Sequence, residues 1–264
     1  MPNENSSTTP WRIERTLGWA VAALLIAFAG FEYSNIDLAV QDHLYDFDHH
    51  RWLIDGGNPL LGAILYSGPK FALIAVGVAA IVLAIAPARW RARLNLDQGH
   101  RRDLAILVLT LGAIPALIGW SKSVTNVFCP YEIRRYGGAV PYVKVLARHP
   151  VEDRPESCGH CFPAGHASGG FALIAFAGLA RSRRGQAIAL AIGVTAGTLM
   201  GAYQMAKGSH YLSHTVITAL VAWIGFCALR RVLCFDARAD YPEFRSCSNH
   251  GRALINTDQM DPDR

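Results

Sequence analysis

Charge is scarce in this chain. Of its 264 residues only 17% are Asp, Glu, Lys or Arg, where a soluble domain carries about a quarter. That shortfall argues against a solvated globular domain. Internal repeats and low-complexity tracts are missing as well, so residues 1–264 read as one domain. No basic patch with interleaved aromatics occurs, and the pI near 9.0 is therefore no pointer to a nucleic-acid partner.

What the chain does have is apolar length. Hydrophobic residues make up 52%, and six stretches stand out, roughly 17–34, 60–86, 104–120, 166–180, 187–206 and 211–229. Several run 15 to 20 residues without a charge, about enough to cross a hydrocarbon core of ~30 Å. In lipid every backbone polar group needs an internal partner, which leaves helices as the spanning form. The expected fold is an all-α, integral-membrane bundle of six helices.

Basic residues orient it, because cytoplasmic loops carry the excess of Lys and Arg. Arg12 and Arg15 precede the first stretch, and Arg89, Arg91, Arg93, Arg101 and Arg102 follow the second. Arg181, Arg183 and Arg184 follow the fourth, and Arg230 and Arg231 the sixth. Both the N-terminal segment 1–16 and a tail from about 232 to 264 then face the cytoplasm. The acidic loop 35–58, the loop 121–165 and the connection near 207–210 face the other side. Ala27-Phe28-Ala29 resembles a signal-peptide cleavage site, and the first stretch is read as an uncleaved anchor.

Three short stretches meet on that outer face: Lys122…Cys129-Pro130, Pro163-Ala164-Gly165-His166, and Lys207-Gly208-Ser209-His210…His214. Each holds a cation or an imidazole where an apolar stretch starts or stops. Helix N-termini attract anions, and Gly165 and Gly208 let the backbone come close to an oxyanion. Imidazole suits nucleophilic and acid–base work near neutral pH. Together these residue types point to a site for a lipid-borne phosphate, embedded in a bilayer.

The three stretches resemble the signatures of type-2 phosphatidic acid phosphatases, over about residues 104–216. The family pattern is Lys-x6-Arg-Pro, Pro-Ser-Gly-His and Ser-Arg-x5-His-x3-Asp, and the six-span layout is similar to its integral-membrane branch. The resemblance implies that His210 attacks phosphorus to form a phosphohistidine and that His166 protonates the leaving alcohol. Lys122 would bind phosphate, Gly165 would donate a backbone N–H, and no metal or other cofactor is implied. It further implies a multi-pass protein of the bacterial inner membrane with a periplasmic site. Phosphatidate, undecaprenyl diphosphate and lipid A are the candidate substrates, hydrolysed or used for phosphoryl transfer.

Four positions depart from the pattern. Cys129 and Gln204 stand where arginines are expected, Ala164 replaces Ser, and His214 replaces the Asp that orients the nucleophile. Losing two guanidiniums removes charge-assisted contacts to phosphate. Lys207, one turn before His210, and Arg134 and Arg135, just past Pro130, are the expected replacements. His214, at i+4 from His210, shares its helix face and is expected to fix its tautomer.

Six cysteines fall into two groups. Cys129, Cys158 and Cys161 lie outside, and Cys227, Cys234 and Cys247 lie in or near the cytoplasmic end. An oxidising exterior permits a Cys129–Cys161 or a Cys129–Cys158 bridge, either of which would tie the first signature to the second. Cys158-x2-Cys161 with His160, and His210-x3-His214, also have zinc-ligand spacing. A zinc-dependent membrane hydrolase is thus one alternative, and a phospholipid-binding protein without turnover is the other.

Overall fold

The computed structural model describes residues 11–94 and 98–239, except the side chains of residues 88, 91, 92, 98, 99 and 234–239. The expected cytoplasmic tail beyond 239 and the first ten residues lie outside the described residues. In chain order the helices are α1 (Leu17–Glu32), α2 (Ile36–Asp42), α3 (Pro59–Gly62), α4 (Gly68–Ile85), α5 (Ala88–Arg93), α6 (Gln98–Val124), α7 (Gly165–Ala172), α8 (Arg183–Ala206) and α9 (Leu212–Ala239). A π-helical turn, Ala63–Ser67, joins α3 to α4. Among the described residues one two-stranded ribbon, β1 (Tyr45–Asp46) against β2 (Arg51–Trp52), accompanies the helices, with Tyr45 opposite Trp52.

Five helices among the described residues are long and apolar enough to cross a membrane: Ile13–Glu32, Pro59–Ile85, His100–Val124, Arg183–Ala206 and Leu212–Leu233. The fourth apolar stretch is not one long helix, yet it runs the length of α6, from Gly165 beside Lys122 to Arg181, which donates to Asp103 (2.8 Å). It forms α7 and then a 3-10 helix, Leu173–Gly178, together about 24 Å long at the usual rises. Its Ala-Ser-Gly-Gly run has poor helix propensity. Its apolarity serves the interior: Ala167, Ala172, Ala175 and Ala177 are fully buried, between α6, α8 and α9. The span Pro59–Ile85 is the opposite case. Phe71, Ile74, Val78, Ile81 and Ile85 all point outward, the arrangement of a helix solvated by lipid rather than water.

The polar connections are ordered and pack on one another. Tyr45 meets Trp52 and Tyr136 edge-to-face, and Trp52 and Tyr136 meet at a tilt, with ring centroids 4.8 to 5.2 Å apart. The N–H of Ile54 donates to the carbonyl of Ala206 at the end of α8 (3.1 Å). Residues 125–164 contain three 3-10 turns, at Pro130–Glu132, Arg134–Tyr136 and Val151–Asp153. These ties hold the loops over the ends of α6, α7, α8 and α9.

Candidate active site

Lys122 sits in the last turn of α6. Beyond it the chain runs beside the segment that leads into α7. His160 donates from Nδ1 to the Lys122 carbonyl (3.0 Å), the Cys161 N–H donates to the Val127 carbonyl (2.9 Å), and the Gly159 N–H donates to Asn126 (2.7 Å). A Cys129–Cys161 disulfide locks the pair, with Cα atoms 5.2 Å apart. Of the two expected bridges this is the one present; Cys158 is free and exposed. The Cys158-x2-Cys161 zinc pair is therefore corrected: the second sulfur is already bonded.

Gly165 opens α7 and His166 follows in its first turn, where backbone N–H groups have no helical partner. A side chain at Gly165 would press on Lys122, with its Cβ 3.2 Å from Cε and 3.5 Å from Nζ. Ala164, in place of the family Ser, is fully buried, and its N–H donates to Thr218 of α9 (3.0 Å). At the other edge, α8 ends at Ala206 and Gly208 turns the chain back with φ +76°. The Gly208 carbonyl accepts from the Tyr131 N–H (3.0 Å). His210 and α9 follow, and Asp37 of α2 accepts from the Ser213 N–H (2.8 Å), capping the helix that carries His214.

These ties surround a cavity of about 420 Å3 lined by Lys122, His166, Lys207, His210, Gln204, Cys129, Ser209 and three tyrosines, Tyr66, Tyr131 and Tyr203. The His166 and His210 rings are 6.1 Å apart. Lys207 lies over Tyr203 and Tyr66, 5.1 and 5.6 Å from their centroids, contacts that hold a cation without neutralising it. Among the described residues no acidic group acts on Lys122 or Lys207. Burial lowers the Lys207 ammonium from its ordinary value.

His210 is almost wholly buried. Burial first, and then His214, Lys122, His166 and Lys207, push its pKa well below the usual histidine value, so the ring is neutral with one nitrogen lone pair. Its Nδ1 lies 3.2 Å from Nδ1 of His214, which leaves Nε2 for the cavity that the ring lines. One of the two Nδ1 atoms must carry a proton for that contact to be a hydrogen bond. If His210 donates, its Nε2 is unprotonated. His166, outside all five long helices, is pushed down to about 4 by burial, then by Lys122, Lys207 and Lys70, and its Nδ1 has no hydrogen-bond partner.

The sequence-predicted residues do not all converge. Lys122, His166, Lys207 and His210 line the cavity, Gly165 abuts Lys122, and His214 stands behind His210. Arg134 and Arg135 lie outside the cavity lining: Arg134 closes on Asp153 through both terminal nitrogens, and Arg135 closes on Asp42 (2.6 Å). Each guanidinium is satisfied by a carboxylate away from the cavity. Sequence reasoning missed Tyr66, Tyr131, Tyr203, Asp37 and Thr218. Of these only Tyr203, one helical turn before Lys207, had a spacing that could have flagged it.

A second, apolar groove of about 610 Å3 lies between α4, α6 and α7, lined by Leu73, Ile74, Val78, Ile81, Val108 and Leu111. It shares Tyr66 and His166 with the polar cavity. A family model described as the PAP2 superfamily matches residues 103–235, a segment that includes Lys122, His166, His210 and His214 but not α1 to α4. No curated protein and no solved structure matches the chain.

Proposed function

The chain belongs to the PAP2 superfamily, and on that premise we propose that it is a membrane lipid phosphatase or phosphotransferase working through a phosphohistidine on His210. The observation that carries this reading is the shared wall. A polar cavity with two histidines and two lysines, which have no acidic partner among the described residues, opens beside an apolar groove, with His166 and Tyr66 in both linings. A phosphate on a lipid fits that pairing, headgroup in the cavity and chain along α4 and α6.

The chemistry divides into two displacements. A monoanionic substrate phosphate first passes its proton to His166. Nε2 of His210 then attacks phosphorus; the N–P bond forms as the P–O bond to the lipid breaks, and His166 delivers that proton to the departing oxygen. Water then gives a proton to His166 and attacks phosphorus. The N–P bond breaks, releasing inorganic phosphate and neutral His210. An acceptor alcohol in place of water makes the same step a transfer. Lys122 and Lys207 stabilise the equatorial oxygens, Gly165 contributes a backbone N–H, and His214 holds the His210 tautomer. Phosphatidate, undecaprenyl diphosphate and lipid A are the candidate substrates.

The Cys129–Cys161 disulfide favours an oxidising compartment. With the alternation of basic loops, this supports a periplasmic site in a bacterial inner membrane. The test is phosphate release from these three lipids by detergent-purified protein in EDTA, with His210→Ala alongside. Release by wild type and not by the variant supports the reading; equal release by both overturns the role of His210.

A further inference from the structure

The disulfide that joins the two loops also touches the reacting histidine. Sγ of Cys161 is 3.4 Å from Nδ1 of His210, and that atom is 3.2 Å from Nδ1 of His214. The three donor atoms all lie within 4.8 Å of one another on buried residues. In a tetrahedral zinc site, with Zn–S about 2.3 Å and Zn–N about 2.05 Å, a sulfur and a nitrogen ligand stand about 3.6 Å apart and two nitrogens about 3.3 Å. Two edges of this triangle, 3.4 and 3.2 Å, are within about 0.2 Å of those lengths.

We propose that opening the Cys129–Cys161 disulfide converts Cys161, His210 and His214 into a zinc site that switches phosphoryl transfer off, an inference that rests on His210 being the nucleophile. The two sulfurs differ in access. Cys129 is half-buried and lines the cavity, whereas Cys161 is fully buried. A dithiol reductant in the cavity attacks Sγ of Cys129, the S–S bond breaks, and Cys161 leaves as a thiolate. The second thiolate of the reductant displaces Cys129, which takes up a proton, and the reductant departs as its own disulfide.

The Cys161 thiolate now faces two imidazoles. Zinc takes the thiolate and the Nδ1 lone pairs, with water in the fourth position. Both rings then carry their proton on Nε2, so the lone pair that His210 needs to attack phosphorus is gone. Lys122 and Lys207 lie on the cavity side of His210, whereas the metal sits on its Nδ1 side, and the thiolate supplies the anionic charge that the histidines lack.

Cobalt(II) is the probe, read by its thiolate-to-metal charge-transfer absorption and by metal bound per chain. Cys129→Ser frees Cys161 without reductant; wild type treated with a dithiol is the second sample should that variant fold poorly. The expected result is one cobalt per chain with a sulfur band in both, and none in oxidised wild type. The band should vanish in Cys129→Ser/Cys161→Ser and persist in Cys129→Ser/Cys158→Ser. Zinc-loaded Cys129→Ser should release no phosphate until a chelator is added. A missing sulfur band in both samples, or one that survives loss of Cys161, overturns the proposal. Oxidised wild type that releases no phosphate would instead sink the enzymatic reading, and the cobalt spectra would stand apart from it.

Discussion

Gly208→Ala should damage the cavity through a residue that touches no substrate. Gly208 holds φ +76°, a conformation that costs an L residue about 1–2 kcal/mol. Space is the larger obstacle. A Cβ built there falls 2.6 Å from Cδ2 and Cζ2 of Trp52, with Cε2 closer still, and an indole ring cannot bend aside as a lysine can. Trp52 would have to leave its edge-to-face contact with Tyr45 and its tilted contact with Tyr136, each worth about 0.5–1.5 kcal/mol. Strain and lost contacts together come to about 2–5 kcal/mol. Because Lys207 and His210 flank the turn, the penalty falls on the geometry of the site.

The assay is thermal inactivation in detergent, with phosphate release, for Gly208→Ala, Trp52→Ala and the double variant. Removing the indole removes the overlap, so the double variant should retain only the backbone strain beyond the cost of Trp52→Ala. The expected coupling is about 1–3 kcal/mol in the relieving direction. Strict additivity, or a Gly208→Ala protein as stable and active as wild type, would refute the steric argument.

Arg134→Ala and Arg135→Ala should each leave phosphate release within about twofold, because each ends an exposed ion pair rather than a phosphate contact; a loss above about tenfold in either would return it to the site. Since burial and then Lys122, Lys207 and Lys70 hold the His166 pKa near 4, its catalytic proton should enter with a monoanionic substrate phosphate, whose second pKa is about 6. For a phosphomonoester lipid, kcat/KM should therefore fall as pH rises above about 6–7, and a profile climbing to alkaline pH would contradict this. Asp37→Ala should lower the thermal inactivation midpoint by uncapping α9, a loss of about 1 kcal/mol. Asp37→Asn, which keeps an acceptor oxygen and removes a charge whose pKa burial has raised, should cost less; equal losses would rule out the cap.

Hydropathy made the long helices legible because a run without charges has few other uses. At 166–180 it found the segment but not its form, a short α-helix continued as a 3-10 helix, since apolarity reports that a residue avoids water and not whether lipid or protein surrounds it. There the neighbours are α6, α8 and α9, and small residues let them approach. The four cavity residues Lys122, His166, Lys207 and His210 were legible for a related reason: reactive side chains at the ends of apolar stretches stand out against them. Choosing between the two disulfides needed the pairing of Val127 with His160, which no composition or spacing reports.

The misplaced cations follow from the same limit. Arg134 and Arg135 are close to Pro130 in sequence, yet their charges are spent on Asp153 and on Asp42, 93 residues from Arg135. Partners that distant leave no local signature. Gln204 and Lys207, both in the cavity lining, differ in what a charge costs at each position. Position 204 is 1% exposed inside α8, where a guanidinium would be desolvated, a cost that grows with burial. Three residues on, past the end of the helix, the charge rides on a flexible stem across Tyr203 and Tyr66 and is only half-buried. It reaches the same cavity at lower desolvation cost, provided that Gly208 can make the turn behind it.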